Sequence, residues 1–245
     1  MSLAAKLLLS PLLAAQAVAT RARAPRLPEA AGARSGEDGR GPLLRLLIVG
    51  DSSAAGVGVA RQEDALAGQM AQALAARCAR RVRWRLIARA GLTSAQCRAL
   101  LEAEAPGALQ ADVAVIVLGV NDVVEQVASQ RALRAREAIA NRLRNAHGVA
   151  HVVFAPLPPV GRFPALPQPL RWIAGADARR HDDAVAAWAA TRDDVSHVPI
   201  DLPLNRGTMA ADGFHPGAAV YRVCAVALAE HIATRVAPGL PTPRR

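Results

Sequence analysis

The stretch Leu43-Leu44-Arg45-Leu46-Leu47-Ile48-Val49 runs directly into Gly50-Asp51-Ser52-Ser53, and small residues follow. An apolar run of this length, without polar alternation, reads as a strand buried on both faces, as in a parallel sheet. Gly50 ends it and Ser52 presents a hydroxyl just beyond. In open α/β sheets ligands lie outside the carboxyl ends of the strands, so a serine placed there stands where chemistry is done. Taken alone, Ser52 is equally a cap for the next helix.

Three later stretches occupy equivalent places. Ala90-Gly91-Leu92 follows an apolar segment from Val82 to Ala88, and Gly119-Val120-Asn121-Asp122 follows the uncharged run Val113-Ala114-Val115-Ile116-Val117-Leu118. Asp212-Gly213-Phe214-His215-Pro216 precedes the last helical pattern. With these four in this order, the sequence resembles the SGNH/GDSL hydrolase family, whose four blocks carry Ser, Gly, Asn and His. The resemblance covers residues 44 to 234. One position departs from it: Ser53 stands where the family's first block has Leu, beside the nucleophile, which bears on substrate fit more than on chemistry.

The alternation of apolar strands with helical patterns of 10 or more residues gives an α/β fold with right-handed crossovers, three layers and about five parallel strands. The resemblance implies a flavodoxin-like order, 2-1-3-4-5. It also implies that Ser52 is the nucleophile, that the oxyanion is held by the backbone N–H groups of Ser52 and Gly91 and by the side chain of Asn121, and that no metal or cofactor is used.

The residues themselves support part of this. Asp212 and His215 are three apart, so on a helical turn a carboxylate and an imidazole project from the same side. His215 then serves as general base toward Ser52, with Asp212 orienting the ring. Gly91, having no Cβ, lets an oxyanion approach the backbone. Asn121 alone is equally an Asx-turn residue and Asp122 a helix cap; Asp51 reads as structural. Neither G-x-S-x-G nor a lysine three residues after a serine is present, which argues against two other serine-hydrolase designs. The expected activity is hydrolysis of small-molecule or lipid carboxylic esters. Rival readings are O-deacetylation of a sugar or cell-envelope glycan, a metal-dependent phosphoesterase using Asp51, Asn121, Asp122, Asp212 and His215, and a catalytically silent binding module.

Composition narrows the partners. The 245 residues suffice for one α/β domain. The net charge is +10, but Lys6 is the only lysine and the arginines are scattered among alanines, a pattern of GC-rich coding and a solvated surface. With no block of like charges and only 3% aromatic residues, a nucleic-acid partner is not expected. Cys78, Cys97 and Cys224 lack the spacing of a metal site or a disulfide framework.

The first 24 residues carry an apolar run from Leu7 to Ala19, broken by Ser10 and Pro11, with Arg21, Arg23 and Arg26 behind it. As a helix this run is roughly 20 Å long, short of the ~30 Å hydrocarbon core. It reads as a secretory signal ending near Ala17-Val18-Ala19, as an interfacial helix with its arginines among lipid head groups, or as a helix packed on the domain. The first two imply export or peripheral membrane association in a bacterium; the third implies a cytoplasmic protein. Residues 25–42, rich in Pro and Gly, read as the rest of a 1–42 leader and linker, with the catalytic domain at 43–237 and a disordered tail at 238–245. Removal of residues 1–40 is therefore expected to spare the site.

Within the domain, Leu66, Met70, Leu74 and Cys78 mark an amphipathic helix, and Ser94 caps another. Ala132, Ala135, Ile139, Leu143 and Ala146 form a stripe with arginines on the opposite side, ending at Gly148. Strands are expected at 151–155 and 197–201, a helix at 177–190, and a final helix starting with Pro216. The proline-rich segment 156–172 leaves a strand's carboxyl end, so Phe163, Leu166, Leu170 and Trp172 are candidates for receiving an apolar substrate.

Overall fold

The structure, a computed structural model, describes residues 3–240. Six strands form one sheet: β1 (Ser35–Asp38), β2 (Leu43–Gly50), β3 (Arg81–Ala88), β4 (Val113–Val117), β5 (His151–Phe154) and β6 (Val195–His197). Their spatial order is β1-β3-β2-β4-β5-β6. The five strands from β2 onward are parallel and in the expected order; β1 pairs antiparallel along the outer edge of β3, with Ser35 opposite Arg85 and Asp38 opposite Val82.

The uninterrupted apolar character of β2 is explained by its two neighbours and its two covered faces. Leu44, Leu46 and Ile48 enter one core with Leu66, Met70 and Leu74 of α2 (Leu66–Cys78) and with Tyr221, Ala225 and Leu228 of α7 (Ala218–His231). Leu47 and Val49 point the other way, into a second core. There they meet Cys97 and Leu101 of α3 (Ser94–Glu102), Ile139 and Leu143 of α5 (Ser129–His147), and Val185 of α6 (Leu170–Ala189). Each fully buried Leu or Ile here is worth about 1.5–3 kcal/mol in apolar burial. Arg45, the one charge in the strand, is held at its margin by Asp112, which accepts from the Arg45 backbone N–H at 2.7 Å and from Nη2 at 2.7 Å.

Residues 29–38 are not a linker, and the domain begins near Glu29 rather than Leu43. Ala30 N–H donates to Ala55 O (3.2 Å) and Ala31 N–H to Ala60 O (2.9 Å), while the buried Gln62 amide donates to both Ala30 O and Ala55 O. Glu29 accepts from the backbone N–H of Ala90 at 2.7 Å and pairs with Arg34, whose Nη1 donates to Ala88 O. Ahead of this segment, α1 (Leu3–Arg23) lies along α6. The Gln16 side chain bridges to Gln168 O (2.6 Å) and accepts from Leu170 N–H (3.1 Å). Among the described residues no helix is long and apolar enough to cross a membrane. At the other end, residues 237–239 make a 3-10 turn and Leu240 packs on the core; the remainder of the expected tail lies outside the described residues.

Element bounds depart from expectation at several places: α6 begins at Leu170 rather than 177, and β6 is Val195–His197 rather than 197–201. Thr93, not Ser94, caps α3, through a capping box with Gln96. α7 starts at Ala218, two residues after Pro216, because 209–216 closes as a small hairpin with Met209 bridged to Pro216.

Candidate active site

Ser52, Gly91 and Asn121 all lie just past the carboxyl ends of neighbouring strands, β2, β3 and β4, and the 209–216 hairpin folds over the same rim. The loop that leaves Ser52 is tied to the last helix by the buried Tyr221 hydroxyl, which donates to Val57 O at 2.7 Å. This brings together side chains 163 residues apart: His215 Nε2 lies 3.1 Å from Ser52 Oγ. His215 Nδ1 lies 2.5 Å from Asp212 Oδ2.

The Asp212–His215 contact comes from a tight turn rather than a helix. Asp212 Oδ1 accepts from the backbone N–H groups of Phe214 and His215, both at 2.9 Å, leaving Oδ2 free for the ring. Burial of Asp212 works to raise its carboxyl pKa; the hydrogen bonds from the His215 ring, His215 N–H and Phe214 N–H outweigh it and hold the group below its ordinary value. An ionised carboxylate at Nδ1 fixes the proton there and leaves Nε2 facing Ser52 as an acceptor. The ring is buttressed by Phe214 at 5.5 Å between centroids, itself packed edge-on against Phe163 at 5.0 Å.

Gly91 adopts φ +84° in the turn after β3, a left-handed conformation that favours glycine, and a Cβ there would project into open space. Asn121 sits in the short helix α4 (Val120–Val124). Its Nδ2 donates to Leu92 O at 3.0 Å and to Asp51 Oδ2 at 3.3 Å. The carboxyl of Asp51, buried next to Ser52 in sequence, has its pKa pushed up to about 6 by desolvation, against the opposing hydrogen bond from Ser53 N–H and the nearby His215. Asp122, by contrast, faces away from the rim, where Arg136 and Ser94 take up its carboxylate.

The proline-rich segment does not present the expected apolar wall. Phe163 and Leu166 are buried in a third small core with Val123, Val160 and Met209, while Trp172 is 54% exposed. A cavity of about 440 Å³ lies between α1 and the hairpin, lined by Gln16, Thr20, Arg23, Ala165, Pro167 and Asp212; its walls include neither Ser52 nor His215. Among the described residues no group of three His, Cys, Asp or Glu side chains is placed to hold a metal ion. Arg136 is buried although the other arginines of α5 are at least partly exposed; its position four after Ala132 and three before Ile139 puts it on the apolar stripe, the one sequence signal of its burial.

Residues 48–223 match the model of the GDSL-like lipase/acylhydrolase family. A GDSL-like esterase of Mycobacterium tuberculosis, Rv1075c, is 30% identical over 188 residues, covering 74% of this chain and 59% of that protein. The chain thus spans about three fifths of the curated relative's length. Among solved structures, the lipase Lip_vut3 from a goat rumen metagenome superposes with a TM-score of 0.63 at 17% identity, covering 78% of this chain and 98% of that one. A mutant of Axe2, an acetyl-xylooligosaccharide esterase from Geobacillus, gives 0.60 at 18% identity, covering 85% and 99%. At these identities the structural likeness speaks for the fold.

Proposed function

The chain belongs to the GDSL-like lipase/acylhydrolase family, and from that premise we propose that it hydrolyses carboxylic esters through an acyl-enzyme on Ser52. The observation that carries the reading is the chain of contacts from Ser52 Oγ to His215 Nε2 at 3.1 Å and from His215 Nδ1 to Asp212 at 2.5 Å. Ser52 Oγ bonds to the carbonyl carbon as its proton passes to Nε2, and the carbonyl π electrons move onto oxygen. The backbone N–H groups of Ser52 and Gly91, with the Asn121 amide, stabilise that oxyanion. Both amide hydrogens of Asn121 are engaged before substrate binds, so the longer one, to Asp51, is the one exchanged for the oxyanion. Collapse of the adduct releases the alcohol, which takes the proton from His215. Water, deprotonated by the same Nε2, then splits the acyl-serine and returns Ser52 to its starting form.

A second reading, O-deacetylation of a carbohydrate, has one observation in its favour. Phe163 and Leu166 are consumed by the protein's own core, which removes both from the surface offered to a long acyl chain. p-Nitrophenyl esters from acetate to palmitate, tested beside an acetylated oligosaccharide, separate the two. Ser52→Ala abolishes turnover, by on the order of 10⁶ in kcat, together with fluorophosphonate labelling, while the fold survives. Labelling that persists in the variant assigns the nucleophile elsewhere.

For the site of action we propose peripheral association with an anionic bacterial membrane. The outer face of α1 leaves Leu12 46% and Val18 70% exposed, with Arg21 and Arg23 in the last turn; apolar contact plus basic residues is the combination that attracts a helix to lipid head groups.

A further inference from the structure

Beneath the two turns that carry Gly91 and Asn121 lies a closed polar network with no access to solvent. Asp122 and Arg136 form an ion pair with both side chains 1% exposed. Asp122 Oδ1 accepts from Ser94 N–H (3.1 Å), and Oδ2 accepts from Ser94 Oγ (2.6 Å) and from Arg136 Nη2 (3.0 Å). Arg136 Nε donates to Ser94 Oγ at 3.0 Å, which turns the hydroxyl hydrogen toward Asp122. These hydrogen bonds join Ser94, the first residue of α3, to Asp122 in α4. Ser94 stands three residues after Gly91, Asp122 one residue after Asn121, and Arg136 reaches in from α5 to close the ring.

The backbone makes room for this arrangement. Gly119, at φ +138°, lies directly over the guanidinium, where a Cβ would fall 2.4 Å from Nη2 and 2.8 Å from the Leu157 methyls. A second tie runs above it, from Asn121 Nδ2 to Leu92 O. Taking a carboxylate and a guanidinium out of water is costly, and a buried ion pair is often no more stable than apolar side chains of equal volume. What such a pair supplies is a single geometry, since a guanidinium fork satisfies two acceptors only in one orientation.

We propose that Ser94, Asp122 and Arg136 are positioning residues: a buried clamp that sets the spacing between the Gly91 amide and the Asn121 side chain and so preorganises the oxyanion site without touching substrate. The proposal rests on the ester-hydrolase reading above. It explains why the rim needs so much polar chemistry below it: preorganised donors stabilise a transition state only if they are already in place when charge develops.

The test uses the full chain and a soluble short-chain p-nitrophenyl ester. Ser94→Ala lowers kcat about 10-fold, with KM within twofold and the pH midpoint of kcat/KM unmoved, because it leaves every charge and the Asp212–His215 pair in place; Arg136→Met lowers kcat about 100-fold with KM within twofold. Arg136→Lys keeps the charge but not the fork, and does not restore kcat. If Arg136→Met fails to fold, Ser94→Ala alone decides. A lowered melting temperature with kcat of Ser94→Ala within twofold of the parent overturns the proposal, and so does a shifted pH midpoint in that variant, which would place the effect on His215 instead. Asn121→Ala separates the two levels of argument. If it loses 10²–10³ in kcat while the clamp variants lose nothing, only the clamp is wrong; if it too loses nothing, the oxyanion assignment fails and the clamp falls with it.

Discussion

Two segments ahead of β2 meet the rest of the molecule in opposite ways. Residues 29–38 are woven into the catalytic rim: Ala30 and Ala31 bond to the loop that leaves Ser52, Glu29 holds the N–H of Ala90 next to Gly91, and Ser35–Asp38 extends the sheet. Helix α1 rests on α6 through the Gln16 bridge and leaves its outer face open. The more apolar of the two is the more loosely attached. Hydrogen bonds that end on backbone groups, several of them from polar side chains, do the anchoring, and hydropathy alone points to the wrong segment.

Truncation puts this contrast to its hardest test. Deleting residues 1–40 removes β1, the Glu29 acceptor and the backbone partners of Ala55 and Gln62, so yield of folded protein and ester turnover are both lost; equal behaviour of this deletion and one ending at residue 24 would break the comparison. The interior of the rim sets the next scale. Asp51 keeps its proton to about pH 6 when folded, against an ordinary value of 3.8. Between those values the native state binds more protons than the unfolded chain, so stability from this group is present at low pH and is lost as pH rises through 6. Melting curves from pH 4 to 8 should therefore show the parent losing on the order of 3 kcal/mol relative to Asp51→Asn.

Smaller effects probe the outer support. Glu29→Ala, which frees the Ala90 N–H and removes the carboxylate partner of Arg34, lowers kcat about 10-fold with KM little changed, and Glu29→Gln, which keeps an acceptor, restores most of it; steady-state kinetics on a short ester check both. Deleting residues 1–24 leaves that activity within twofold and reduces co-sedimentation with anionic vesicles, an attraction that added salt weakens in the full chain.

The contrast also shows where the sequence was readable. β2 and β4 announced themselves because a strand covered on both faces must be apolar throughout, and three of the site stretches because each follows such a strand or precedes the last helix; the fourth, at Gly91, follows β3, where Arg83 and Arg85 alternate with buried Val82, Trp84 and Leu86. β1 did not: Ser-Gly-Glu-Asp has no alternation, and as an edge strand it needs only the outer hydrogen bonds of β3 and room for Gly36 against the Trp84 indole. Arg136 was hidden for another reason. A charge on an apolar stripe breaks the pattern used to find the stripe, and its partner Asp122 lies 14 residues away on a separate turn. The burial of Phe163 and Leu166 likewise depends on Met209 and Phe214 arriving from the far end of the chain.

That distant hairpin has a consequence for how the site comes into being. Asp212 and His215 are fixed to each other by four residues of chain, so the carboxylate and imidazole form a local unit that needs little of the fold. Everything non-local about the three side chains is concentrated in one contact, the 3.1 Å from His215 to Ser52 across 163 residues. On the proposed mechanism, turnover is a ruler laid between β2 and the last helix: any change that shifts α7 on the sheet, however far from the rim, is read out at that single distance.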